Sequence, residues 1–118
     1  MNILKIGAVA TLCTTLGATS ALAEYPERSI NMIIPYGAGG ATDISARTIA
    51  EPLSAAVGEN LIMANIAGAG GATGSVAVQN ATGDGYTMLF ARVGSHSVSP
   101  AMKATLPYTL DDFRLVTV

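Results

Sequence analysis

The 118-residue chain has one cysteine, one histidine and no tryptophan, and only 12% of its residues are charged. A lone Cys13 excludes a disulfide framework and a cysteine metal site. His96 is the only histidine, which leaves metal chemistry without a ligand set, and neither a metal nor a cofactor is expected. Cationic residues are equally scarce. Six lysines and arginines stand against eight acidic residues, and without Lys5 the balance is five against eight, a net −3. The basic residues form no cluster, so nucleic acid is excluded as a partner. At 50% hydrophobic residues the chain is too apolar for disorder, and its length suits no more than one ordinary domain.

Part of that apolarity reads as an export signal. Residues 1–23 carry Lys5 near the start, an apolar stretch at residues 6–16, and Ala21-Leu22-Ala23 as an A-x-A cleavage site. That order defines a secretory signal peptide cut after Ala23, and its apolar core is too short for a bilayer-spanning helix. Leu12 is bulkier than the small residue a lipid-attachment cysteine wants before it, so Cys13 leaves with the peptide. A product of residues 24–118 without any thiol, located in the periplasm, is expected.

Glycine, by contrast, is plentiful, with thirteen residues concentrated in loops. The chain is organised around Ile33-Ile34-Pro35-Tyr36-Gly37-Ala38-Gly39-Gly40-Ala41-Thr42-Asp43. Residues 30–34 form an apolar run closed by Pro35, fitting a buried parallel strand. Thr42 reads as an N-cap and Asp43 as a favourable first-turn acid. Ala46, Ile49, Ala50, Leu53 and Val57 then repeat at helical spacing as one buried face. Pro52 is expected to bend the last turn, and Gly58 to stop it. Leu61-Ile62-Met63-Ala64 reads as a second strand closed by Asn65. A second glycine-rich loop, Ala67-Gly68-Ala69-Gly70-Gly71, precedes a helix over residues 72–81 with Val76 and Ala77 inward. After the Asp84-Gly85 turn, residues 86–91 predict a third strand, followed by Val93-Gly94-Ser95-His96-Ser97. Residues 114–118 read as a further strand.

Strand, glycine-rich loop and helix thus recur nearly three times, with each loop on the same side of its strand. In open parallel sheets ligands collect at the carboxyl ends of strands, near a topological switch. The N–H groups of a helix's first turn lack intrahelical partners and carry the positive end of its dipole, so such corners suit a carboxylate or phosphate. The fold class expected is α/β, a parallel sheet with flanking helices.

The motifs Tyr25-Pro26, Ile34-Pro35-Tyr36-Gly37-Ala38-Gly39-Gly40-Ala41-Thr42-Asp43, Asn65 with Gly68-Ala69-Gly70-Gly71, Asp84-Gly85-Tyr86-Thr87-Met88-Leu89, Ser95-His96 with Pro100, and Leu106-Pro107-Tyr108 with Asp112-Phe113 occur in one order. Taken together they resemble the extracytoplasmic solute-binding proteins of tripartite tricarboxylate transporters, the TctC-like Bug family. The resemblance implies a periplasmic binding protein type II-like fold, of which residues 24–118 supply the N-terminal part of domain 1; the second domain and the hinge are absent. It implies a non-enzymatic, monomeric receptor. The ligand would be a small organic carboxylate, whether di- or tricarboxylate, amino acid or aromatic acid, handed on to membrane transporter subunits. It also implies ligand contacts from Tyr36, Gly39, Gly40, Thr42 and Asp43 in the first loop, Ala69 and Gly70 in the second, and Ser95 and His96 in the third. Ala67 stands where the family usually has proline and Ser99 where asparagine is common.

Each residue also has a plainer role. Asp43 and Thr42 can cap a helix, Tyr36 can pack under the loop, and His96 can be a surface residue. Arg47 is expected to pair with Glu51, four residues on. Ser95 and His96 suggest no catalytic triad, because no nucleophile elbow surrounds the serine. A Rossmann-like nucleotide-binding enzyme is the competing function, from Gly37-x-Gly39-x-x-Thr42. It lacks the third glycine, and Asn65 replaces the acid that would hold a ribose. A truncated product that binds nothing is the third possibility.

Overall fold

The computed structural model describes residues 24–103 and 105–117; the signal-peptide reading of residues 1–23 lies outside them. Three parallel strands form one sheet: β1 (Ile30–Ile34), β2 (Leu61–Asn65) and β3 (Thr87–Leu89), in the order β2-β1-β3. Helix α1 (Ala41–Val57) connects β1 to β2, and α2 (Ala72–Gln79) connects β2 to β3. The first connection moves to one side of β1 and the second crosses back over it. Because such crossovers are right-handed, the two helices lie on opposite faces of the sheet.

As the central strand, β1 is covered on both faces. Ile30, Met32, Ile33 and Ile34 are all buried, each contributing about 2 kcal/mol by leaving water. A mostly apolar run without alternation, interrupted only by the half-buried Asn31, suits such a strand. In β3 regular pairing covers only three residues of the expected 86–91. One hydrogen bond at each end extends it, Asn31 N–H to the Tyr86 carbonyl and Phe90 N–H to the Ile33 carbonyl, both 2.8 Å.

Helix α1 begins one residue before the expected cap. Gly40 is the N-cap, in extended conformation and without a side-chain bond, while Thr42 lies buried inside the helix. Asp43, in the first turn, reaches back with Oδ2 to accept from the Gly39 N–H at 2.8 Å, which ties the helix start to the loop and leaves the first-turn N–H groups without a side-chain cap. Pro52 does not end the helix. Gly58 does, in the left-handed region at φ 79°, with its N–H on the Ser54 carbonyl at 2.9 Å. The expected face is only partly buried. Ala46 is fully covered, Ala50, Leu53 and Val57 are half-buried, and Ile49 is exposed. The inward side of the first turns is instead Thr42, Asp43 and Ala46.

Helix α2 also turns a different side inward. Ala72, Gly74 and Ser75 are buried, whereas Val76 is half-buried and Ala77 exposed. Gly74 sets this orientation. A Cβ there would lie 2.7 Å from the Ile66 carbonyl oxygen and 2.8 Å from Pro35 Cα, so only glycine lets the helix sit this close to the end of β1. Among the described residues, 114–117 form no strand, and Leu115 and Val116 are exposed. They pair with none of the three described strands.

Candidate functional site

All three strands run the same way, so the loops following them share one edge of the sheet. The chain leaves β1 toward β2 on one side and reaches β3 on the other. That makes the gap between the β1 and β3 loops the switch point.

The first loop is held in shape by a polar knot around Asp43. Its carboxylate accepts from the Gly39 N–H (2.8 Å), Arg47 Nε (3.0 Å) and Asn65 Nδ2 (2.9 Å). Asn65 Nδ2 also donates to the Tyr36 carbonyl (3.0 Å), and Asn65 Oδ1 accepts from Arg47 Nη2 (3.0 Å). Arg47 therefore pairs with Asp43, four residues before it, and not with Glu51 as expected. Packing explains the choice, since Asp43 faces the end of β2, where Asn65 completes the arrangement, while Glu51 is exposed on the outer side. The Arg47 hydrogen bond, then the bonds from Gly39 and Asn65, hold the Asp43 carboxyl at a pKa of about 2, below its ordinary 3.8.

With Asp43 committed to the protein, the loop's main-chain donors are what remain for a ligand. Ile44 makes the first intrahelical bond, to the Gly40 carbonyl at 2.9 Å, so the N–H groups of Ala41, Thr42 and Asp43 have no intrahelical partner. They point out of the N-terminus of a 17-residue helix, which favours negative charge in front of it. Gly39 and Gly40 are exposed at this rim.

The second loop turns through successive positive φ angles at Gly68, Ala69, Gly70 and Gly71. Its last residue fits between the other two loops. A Cβ on Gly71 would lie 2.9 Å from Tyr36 Oη and 3.1 Å from Ser95 Cβ. Gly71 thus lies against both Tyr36 and Ser95, joining the second loop to the first and the third. Ala69 and Gly70 are exposed beside them, with the Gly70 carbonyl 3.4 Å from Tyr36 Oη.

In the third loop a π-helical turn over Gly94–Val98 follows β3, closed by the Ser99 N–H on the Gly94 carbonyl. The Arg92 carbonyl anchors it, accepting from the Ser95 N–H (3.1 Å), the His96 N–H (3.2 Å) and Ser95 Oγ (3.1 Å). Ser95 is fully buried, so its hydroxyl serves this turn. His96 and Ser95 do touch, although neighbouring side chains seldom do, with Nδ1 to Oγ at 2.9 Å. As the serine donates to the Arg92 carbonyl, it accepts from a protonated Nδ1. That leaves Nε2 unprotonated, buried and without a hydrogen-bond partner. His96 stacks on Tyr108 (5.3 Å between centroids) and meets Phe113 edge-on (5.2 Å), and burial pushes its pKa below 6.5. Tyr108 Oη in turn donates to the Ser95 carbonyl at 2.7 Å. The pair buttresses the loop, and among the described residues no carboxylate hydrogen-bonds His96 Nε2.

The structure therefore brings all nine expected site residues to one edge, but in two layers. Tyr36, Gly39, Gly40, Ala69 and Gly70 are accessible at the rim, whereas Thr42, Asp43 and Ser95 are buried below it. His96 is half-buried in the aromatic cluster. Sequence reasoning missed Asn65 as the link between two loops. Its place at the carboxyl end of a strand, just before a glycine-rich turn, was the available signal.

The model of the tripartite tricarboxylate transporter family receptor matches residues 45–118. The chain belongs to this family. A similar relative is a UPF0065 protein of Bordetella pertussis, 36% identical over 104 residues, covering 87% of this chain and 32% of that protein. Among solved structures, a periplasmic transporter is 40% identical with a TM-score of 0.68, over 72% of this chain and 29% of the other. MatC from Rhodopseudomonas palustris with bound malate is 30% identical with a TM-score of 0.69, again over 72% and 29%. The chain spans about a third of the length of the curated relative. The α/β fold is thus that of periplasmic binding proteins, and the three-loop edge belongs to a receptor-family chain.

Proposed function

We propose that this chain is the N-terminal part of the first domain of a periplasmic receptor that captures a small organic carboxylate and delivers it to the membrane subunits of a tripartite tricarboxylate transporter. The reading is of binding without turnover. One observation carries it: at the switch point, Asp43 is consumed by the first loop itself, which leaves a helix N-terminus and glycine main chain facing the crevice. Main-chain dipoles fixed in this way attract an anion without reorganising. The malate bound to the related MatC supports a carboxylate as the ligand class, and the A-x-A segment at residues 21–23 supports export to the periplasm.

A thermal-shift screen of the full-length protein tests this reading. Di- and tricarboxylates, aromatic acids, amino acids and nicotinamide nucleotides are compared. At a hundredfold excess over Kd a cognate acid stabilises the folded state by about 2.7 kcal/mol, so at least one acid is expected to raise Tm by several degrees. A shift with a nicotinamide nucleotide and none with any acid contradicts the proposal.

A further inference from the structure

Two arginines in this chain place their guanidinium carbons over tyrosine rings, and they differ in what else they meet. Arg28 Cζ is 3.8 Å from the Tyr86 ring centroid, and its Nη2 is bound by Asp84 at 3.2 Å. Arg92 Cζ is 4.1 Å from the Tyr36 ring centroid, and among the described residues no carboxylate binds it. A stacked guanidinium keeps its in-plane N–H donors directed outward, in the fork that matches a carboxylate. Arg28 already has a carboxylate on one of those donors, through its single Nη2–Asp84 Oδ2 contact.

The location of Arg92 distinguishes it further. It follows β3 directly, on the side of the crevice opposite the first loop, and its side chain bridges back to Tyr36 of that loop. Its backbone is fixed by three hydrogen bonds to its carbonyl. Its side chain passes over Gly94, where an added Cβ would lie 3.4 Å from Nε. The other arginine near these loops, Arg47, is engaged by Asp43 and Asn65.

We infer that Arg92, stacked on Tyr36 across the switch point, is a specificity-determining residue that binds a second carboxylate of the ligand, so that the receptor selects dicarboxylates over monocarboxylates of equal length. This rests on the carboxylate-receptor reading above. The main-chain donors of the first loop hold one carboxylate, and the guanidinium edge takes the other. An arginine used in this way adds what main-chain dipoles cannot, a full charge with planar geometry.

The test uses the full-length protein and three matched pairs: succinate and butanoate, malate and 2-hydroxybutanoate, adipate and hexanoate. Calorimetric Kd values are measured for wild type, R92M and R92K. Wild type is expected to prefer the dicarboxylate of at least one pair by about 10- to 100-fold, the range for a hydrogen-bonded charged group. In R92M that preference falls at least about tenfold. R92K, which keeps the charge but not the fork, lies between the two. The selectivity ratio is the readout, because a merely structural loss would weaken both members of a pair alike. Equal loss for both members, or a wild type that binds monocarboxylates as well as dicarboxylates, overturns the role of Arg92 and leaves the receptor reading standing. A wild type that binds no acid at all overturns both.

Discussion

A Gly74→Ala variant is expected to be less stable than the parent chain by about 3 kcal/mol, the upper part of the range for overpacking. Alanine would ordinarily stabilise a helix interior by up to about 1 kcal/mol over glycine, so the sign of the result is informative. The new methyl would meet main-chain atoms, the Ile66 carbonyl oxygen at 2.7 Å and Pro35 Cα at 2.8 Å, as well as Pro35 Cβ at 2.8 Å. None is the movable tip of a side chain. Helix α2 has to lift off the end of β1, and since Gly71 precedes α2 and touches Tyr36 and Ser95, the three-loop junction is expected to open with it. Urea unfolding followed by circular dichroism measures the loss. A stability equal to or above that of the parent chain would mean that α2 does not pack this closely.

The second large effect is expected at Asp43. An Asp43→Asn variant keeps the shape but has one acceptor oxygen in place of two: with the amide oxygen at the Oδ1 position, where Arg47 Nε and Asn65 Nδ2 both donate, its NH2 faces the Gly39 N–H, so that donor loses its partner and the first loop loosens. If the loop then holds its binding geometry only a tenth of the time, apparent ligand affinity falls about tenfold. The pH dependence identifies the cause. In the folded protein the carboxyl titrates at about 2, against an ordinary 3.8. The folded state therefore keeps it ionised at acidities where the unfolded chain binds a proton, and stability rises with pH through that window. The stabilisation from Asp43 is complete above about pH 4 and is lost as pH falls toward 2. Melting curves of the parent chain and the variant should be well separated at pH 7 and converge between about pH 4 and 2. A constant separation across this range would show that the charge is not what ties the loop.

The centre of the molecule was legible in the sequence because its cause is local. An apolar run at residues 30–34, a proline, four small loop residues and an acid specify a buried strand and a helix start with little help from the rest of the chain. The recurrence of that pattern was enough to place three loops on one edge. What escaped was decided by contacts between elements. Thr42 and Gly40 are both reasonable caps, and the helix starts after Gly40, tied to the loop by the reach of Asp43 back to Gly39. Arg47 has acids four residues away in both directions, and Asn65, eighteen residues on, favoured Asp43. The inward face of α2 follows no hydrophobic periodicity because close approach at Gly74 fixes it, so Val76 and Ala77 lost the place that their apolarity suggested. Residues 114–117 have the apolarity of a strand, but a strand also needs a paired partner, which local composition does not supply.

The same distinction applies to the site. Glycines and the helix start pointed to one edge of the sheet, whereas the division into accessible rim and buried support depends on side-chain directions. Ser95 and His96 carry the chemistry that most often signals function, yet Ser95 Oγ is turned to the Arg92 carbonyl and His96 Nδ1 to Ser95, with only His96 Nε2 left unpartnered. Arg92 and Asn65, ordinary in sequence, hold the more consequential positions.

The central claim is that the three loops act as one anion site. A nitrogen-15 NMR titration of the full-length protein, using the acid that gives the largest thermal shift, tests it most directly. The amide signals of residues 39–43, 69–71 and 93–95 should move together and saturate with a single Kd, while Gly58 and Gly83, outside the three loops, stay in place. Shifts confined to one loop, or centred on Gly58 and Gly83, would contradict the account.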